Sequence, residues 1–161
     1  MKIAIFGSGG VGGYFGGRLA LAGQDVTFIA RGVHLAAVTE SGLRVDSIGG
    51  DFVVNPVKAT DSPQSIGTVD LVILATKAWQ LDSAIEQMKP LVGEGTMILP
   101  LLDGMKHMDA LLSAFEHKQV LGGLCRISAF VAGPGHIRHV GVPPFIAFGE
   151  LDNSKSKRVN L

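Results

Sequence analysis

The 161 residues contain one cysteine, one tryptophan and one tyrosine. A lone Cys125 excludes an internal disulfide framework and every Cys-x-x-Cys metal or redox motif, and it suits a reducing, cytoplasmic setting. Charge is scarce as well, at 17% of residues, and the 14 basic and 14 acidic side chains cancel. No global field therefore draws the chain to nucleic acid or to an anionic membrane, so any anion site must be local. Charged residues, glycine or proline interrupt every apolar run well before the roughly 18 residues a membrane span needs. The opening run Met1 to Phe6 ends at Gly7, too early for the apolar region of a signal peptide. Hydrolytic signatures are also missing: there is no G-x-S-x-G, no Ser-His-Asp pattern and no carboxylate pair near an apolar edge. No metal site is expected from the five histidines. His34, His107 and His117 are scattered, and His136 and His139 stand three apart on an expected strand, where they face opposite sides.

Glycine and aliphatic residues fill the space these leave: 22 glycines, with 47% of the chain hydrophobic, a composition suited to a sheet covered on both faces. Lys2 to Phe6 reads as a strand, Gly10 to Ala22 as a helix closed by Gly23, and Asp25 to Ala30 as a second strand, together a right-handed β-α-β unit. A short helix over 33–41 precedes two short strands within 43–54, joined around Ile48-Gly49-Gly50. Strands are then expected at 69–76, 95–102 and 120–124, with helices at 80–92 and 106–116. Residues 126–149 read as strand segments broken by Gly133-Pro134-Gly135 and Pro143-Pro144. The fold class is α/β, a Rossmann-type doubly wound, mainly parallel sheet over residues 1–151. Residues 152–161 read as the start of a linker helix, with good N-cap residues ahead of a polar run.

Gly7-Ser8-Gly9-Gly10-Val11-Gly12 satisfies G-x-G-x-x-G where the pattern carries meaning, directly after a strand and at the opening of a helix. Gly7 permits the turn, Gly9 lets a diphosphate approach the backbone, and Gly12 lets the helix pack, while the helix N-terminus offers free N–H groups. The bland alternative is a glycine-rich turn that merely joins strand to helix, as Gly13, Gly16 and Gly17 merely fit close packing. Selection between dinucleotides falls to the end of the second strand, where a carboxylate would bind a ribose 2′-OH and a cation a 2′-phosphate. Arg31 stands there and Asp25 lies at the other end, so NADP(H) is the cofactor expected. Lys77, after the strand ending at Thr76, lies on the edge where open α/β sheets bind ligands, although a solvated loop lysine reads the same way, and Trp79 beside it is open to a core role. Asp103-Gly104 alone reads as a turn.

The runs M-K-I-A-I-F-G-S-G-G-V-G at the start, T-K-A-W-Q at 76–80, L-D-G-M at 102–105, G-P-G-H-I-R-H-V-G at 133–141 and F-G-E-L-D at 148–152, with Arg31, resemble the ketopantoate reductase (2-dehydropantoate 2-reductase) family over the whole chain. The resemblance implies NADPH-dependent reduction of ketopantoate to pantoate, on the route to pantothenate and coenzyme A. It places Gly7 to Gly12 on the pyrophosphate, Arg31 on the 2′-phosphate, Lys77 on the adenosine side, and the region of Ser128 and Ala129 at the nicotinamide end. The family has asparagine where this chain has Asp103, a position that touches cofactor and substrate. An ionised carboxylate only accepts hydrogen bonds and repels an anionic keto acid, so another 2-keto or 3-hydroxy acid is the competing substrate. The family's catalytic lysine belongs to a C-terminal helical domain beyond Leu161, so no catalytic residue is expected here and the chain alone should not turn over. A non-catalytic NADP-sensing module is the alternative of a different class. The apolar surface that a second domain would cover is also one on which a homodimer could form.

Overall fold

In the computed structural model, which describes residues 1–160, five parallel strands form the central sheet: β1 (Lys2–Phe6), β2 (Asp25–Ile29), β5 (Lys58–Thr60), β6 (Leu71–Leu74) and β7 (Met97–Pro100). Their order is β5-β2-β1-β6-β7, with β1 in the middle paired to β2 through Lys2↔Asp25 and to β6 through Ile3↔Leu71. Successive side chains of a strand point to opposite faces. Ile3 and Ile5 accordingly enter one core cluster, with α1 (Gly10–Leu21) and α2 (Gly32–Ser41). Ala4 and Phe6 enter the other, beneath α3 (Leu81–Met88) and α4 (Lys106–Ala114). Helices on both faces make the sheet doubly wound.

A second sheet lies across α1, in the order β4-β3-β9-β8, built from β3 (Leu43–Ser47), β4 (Phe52–Val54), β8 (Gly122–Gly133) and β9 (His136–Gly149). The short hairpin expected within 43–54 is its antiparallel β3–β4 pair, and β3 runs parallel to β9. Helix α1 is therefore enclosed on two sides, and its glycines let both sheets come close. A Cβ on Gly12 would stand 2.0 Å from the Gly7 carbonyl oxygen, and one on Gly16 2.7 Å from Ile5 and Phe28. On the other flank a Cβ on Gly10 would stand 2.2 Å from the Ala129 carbonyl oxygen, and one on Gly13 2.8 Å from Ile137.

Several expected elements change form. The separate strand at 120–124 does not exist. Val120 makes one parallel bridge to Ile98 and Leu121 N–H donates to the Ile98 carbonyl, after which the chain bends into the twelve-residue β8. The segments expected over 126–149 are one long hairpin. Gly133–Gly135 does turn the chain, whereas Pro143-Pro144 falls inside a bulge in which Gly141 to Pro144 oppose the single Ile127. Two consecutive residues without N–H cannot continue a ladder, so the strand bows outward there. His139 closes the bulge. Its Nε2–H donates to the Val142 carbonyl at 2.9 Å, which leaves Nδ1 to accept from the Ser47 hydroxyl at 2.8 Å. The helix expected over 80–92 survives as α3 alone, between 3-10 turns at Ala78–Gln80 and Lys89–Leu91, the latter imposed by Pro90. Edge strand β5 has no counterpart in the sequence reading.

The linker helix expected from Asp152 is not formed among the described residues, and its last residue, Leu161, lies outside them. An irregular segment leads instead to a 3-10 turn at Arg158–Asn160. Glu150 accounts for this: it accepts from Arg158 Nε at 2.6 Å and from the Ser156 hydroxyl, drawing the segment back on itself. The Arg158 hydrogen bond, followed by that of Ser156, holds the Glu150 carboxyl down at about 2, from an ordinary 4.5. A lowered carboxylate contributes stability above its unfolded value, and that contribution disappears as pH falls through the folded value. Acid unfolding followed by circular dichroism should therefore show a loss between about pH 4.5 and about pH 2 that Glu150→Gln flattens. Ile5→Ala, at a fully buried position, should cost about 2–5 kcal/mol in urea unfolding, against about 0.5 kcal/mol or less for Leu21→Ala, half exposed on α1.

Candidate functional site

The carboxyl ends of β1, β2 and β6 open into a cleft of about 420 Å³. It lies where the strand order reverses, between β1 and β6, the place at which open α/β sheets take ligands. Phe6 to Gly9 form its floor, Ile29 to Arg31 and His34 one wall, and Thr76, Trp79, Gln80 and Ser83 the other, while Val131 reaches in from β8.

Gly7 makes the turn out of β1 with φ of +103°, in the left-handed region that favours glycine, and a Cβ there would stand 2.8 Å from the Ala75 carbonyl oxygen. Gly9 is the N-cap of α1, and nothing lies within 4 Å of where its Cβ would stand. Backbone there is approachable from the cleft, beside helix N–H groups that have no intrahelical acceptor. Gly10, Val11 and Gly12 are the first turn of α1. Arg31 follows β2 as the N-cap residue of α2, exposed, with a guanidinium N–H donating to the Gln87 side chain on α3. No carboxylate lines this end of the cleft. Asp25 is at the opposite end of β2, 2.6 Å from Lys58 Nζ, which lowers its carboxyl pKa.

The remaining sequence-derived residues are not gathered into that cleft. Lys77 and Asp103 are exposed on the same strand-end edge, after β6 and β7, and neither lines the cleft. Ala129 abuts Gly10 through its carbonyl, with Ser128 before it on the exposed side of β8. The loop carrying Asp103 approaches β8 at Cys125, whose thiol is pushed up first by burial and then by the Asp103 charge. Trp79, allowed a core role by sequence, is 81% exposed at the cleft rim. His34 and Thr76 had been given no role. His34 stands three residues after Arg31 on the first turn of α2, and that spacing is the signal that could have found it.

The family model for ketopantoate reductase PanE/ApbA matches residues 3–153. The chain belongs to that family. The uncharacterized oxidoreductase YkpB of Bacillus subtilis (strain 168) is 38% identical over 159 residues, covering 99% of this chain and 52% of that protein. The crystal structure of 2-dehydropantoate 2-reductase from Geobacter metallireducens GS-15 superposes with a TM-score of 0.93 at 35% identity, over 99% of this chain and 52% of that one. The ternary structure of D-mandelate dehydrogenase with NADH and anilino(oxo)acetate superposes with a TM-score of 0.85 at 28% identity, over 94% of this chain and 49% of that one. The chain spans about half the length of these relatives. Among the described residues no helix is long and apolar enough to cross a membrane, and no group of three or more His, Cys, Asp or Glu is arranged to hold a metal.

The two central glycines of the loop should separate in an unfolding experiment. Gly10→Ala forces a methyl against the rigid Ala129 backbone and should lose about 1–3 kcal/mol. Gly9→Ala meets open space and should stay within about 0.5 kcal/mol of wild type. Equal losses in the two variants would contradict the open flank at Gly9.

Proposed function

We propose that this chain is the NADP(H)-binding half of a reductase of 2-keto acids, ketopantoate first among them. The observation that carries the reading is the cleft at the β1/β6 reversal: a glycine loop open at Gly9, an arginine at the end of β2 and no carboxylate beside it. The cleft also contains two buried polar side-chain atoms without a hydrogen-bond partner, His34 Nε2 and Thr76 Oγ1, as expected of a surface built to meet a polar ligand. The residues present thus fit a dinucleotide.

Gly7 to Gly12 would receive the diphosphate, the N–H groups opening α1 balancing its charge. Arg31 would take the 2′-phosphate, for which a planar guanidinium offers paired donors, and Gln87 already holds that side chain at the cleft. Lys77 would act on the adenosine side, and Ala129, whose carbonyl lies against the opening of α1, would border the nicotinamide end. When bound, the reduced nicotinamide supplies the hydride to the keto carbon. The oxygen of that carbon then needs a proton, and the family resemblance assigns the donor to a lysine this chain does not contain. Turnover would then need a second domain of the kind the resemblance implies, and none is expected from these 161 residues alone. Asp103 would face the substrate from the strand-end edge.

A second 2-keto acid is the competing substrate, favoured by Asp103 in the place of an amide and by the likeness to D-mandelate dehydrogenase solved with NADH and anilino(oxo)acetate. Calorimetric titration of the chain should give tighter binding of NADPH than of NADH, with Arg31→Ala erasing a preference of roughly tenfold or more. Equal affinities in the wild type would refute the NADP assignment. In a protein of the relatives' full length carrying this chain, NADPH oxidation should be faster with ketopantoate than with other 2-keto acids, and the reverse order would favour the competing reading.

A further inference from the structure

Three described residues carry a buried side-chain nitrogen or oxygen with no hydrogen-bond partner, His34, Thr76 and His107, and the first two line the cleft described above. An unpartnered buried polar atom is costly, so two on opposite walls of one cleft point to a ligand that satisfies them.

The chemistry at His34 is defined by its other ring nitrogen. The backbone N–H of Gly135, in the β8–β9 turn, donates to Nδ1 at 3.1 Å. A nitrogen that accepts cannot carry the proton, so the neutral ring holds its hydrogen on Nε2. Burial lowers the His34 pKa, against an opposing backbone hydrogen-bond contribution from Ser8. Nε2–H is enclosed beside the glycine loop, on the side of the Ser8 carbonyl but without full hydrogen-bond geometry to it or to any other described group. The turn that sets the tautomer is itself anchored, since the Gly135 carbonyl accepts from Arg44 N–H at 2.9 Å, and it lies close to α2, where a Cβ on Gly135 would stand 3.2 Å from Ala37.

We propose that His34 is a cofactor-contacting residue, offering Nε2–H from the first turn of α2 to an oxygen on the diphosphate side of the bound dinucleotide, beside Ser8. This rests on the dinucleotide reading of the cleft and deepens it. Arg31 selects between dinucleotides through the 2′-phosphate, whereas His34 serves the part that NADPH and NADH share. The β8–β9 turn thereby gains a role in binding, because it presents the acceptor side of the imidazole as occupied and leaves the donor side for the ligand.

Two substitutions separate contact from support. The amide oxygen of asparagine reaches the position of Nδ1, so His34→Asn keeps an acceptor for Gly135 N–H and places no donor where Nε2–H stood. The amide of glutamine reaches the position of Nε2, so His34→Gln keeps the donor and gives up the tie to the turn. Calorimetric titration of the 161-residue chain with NADPH and with NADH, alongside thermal unfolding without ligand, reads both effects. His34→Asn should retain the wild-type melting temperature and weaken both dinucleotides roughly tenfold and equally, while His34→Gln should melt lower yet bind within about threefold of wild type. Unchanged binding by His34→Asn, or a loss confined to NADPH, would overturn the proposal. A wild-type chain that binds neither dinucleotide would instead remove the reading beneath it.

Discussion

The whole arrangement depends on how closely the backbone of α1 approaches two sheets at once. A helix normally meets its neighbours through side chains that hold the axes about 8–10 Å apart. Here Gly12 and Gly16 form one smooth strip against β1 and β2, and Gly10 and Gly13 another against β8 and β9. The helix is thereby held as a wedge between layers, and its amino end is carried to the carboxyl edge of the parallel sheet. The same contacts bring β8 beside the glycine loop, so Val131 and Ala129 border the site although they lie more than a hundred residues further along the chain.

What could be read from the sequence is what is encoded locally. The first strand, the glycine turn, the helix after it and the second strand are consecutive, and each carries its own signal: β-branched residues, a φ that glycine favours, a closing Gly23. The place of Arg31 at the end of β2, beside the cleft, could be counted from those elements. The second sheet was not legible as a unit, since β3 pairs with β9 across about ninety residues, as in Arg44↔His136, and nothing in either segment names its partner. Strand β5 is only Lys58-Ala59-Thr60, too short and too polar for an apolar pattern, and it exists because β2 offers it a ladder. Pro143-Pro144 misled for an instructive reason: two prolines end a ladder locally, but His139 and the pairing on either side carry the hairpin past them.

At the site the same division holds. Glycines and arginine announce themselves through spacing, whereas His34 acquires its place only when Gly135 arrives on Nδ1 from a turn about a hundred residues away. Lys77 and Asp103, legible as strand-end residues, remain on the exposed edge with their side chains outside the cleft.

Trp79 has a consequence of its own. It is the chain's one indole, and it stands on the rim of the cleft with most of its surface in water. Its fluorescence therefore carries no background from a buried fellow, and a reduced nicotinamide ring entering nearby would absorb in the band where it emits. The protein is thus its own optical reporter, able to signal occupancy without a dye, a tag or an added chromophore.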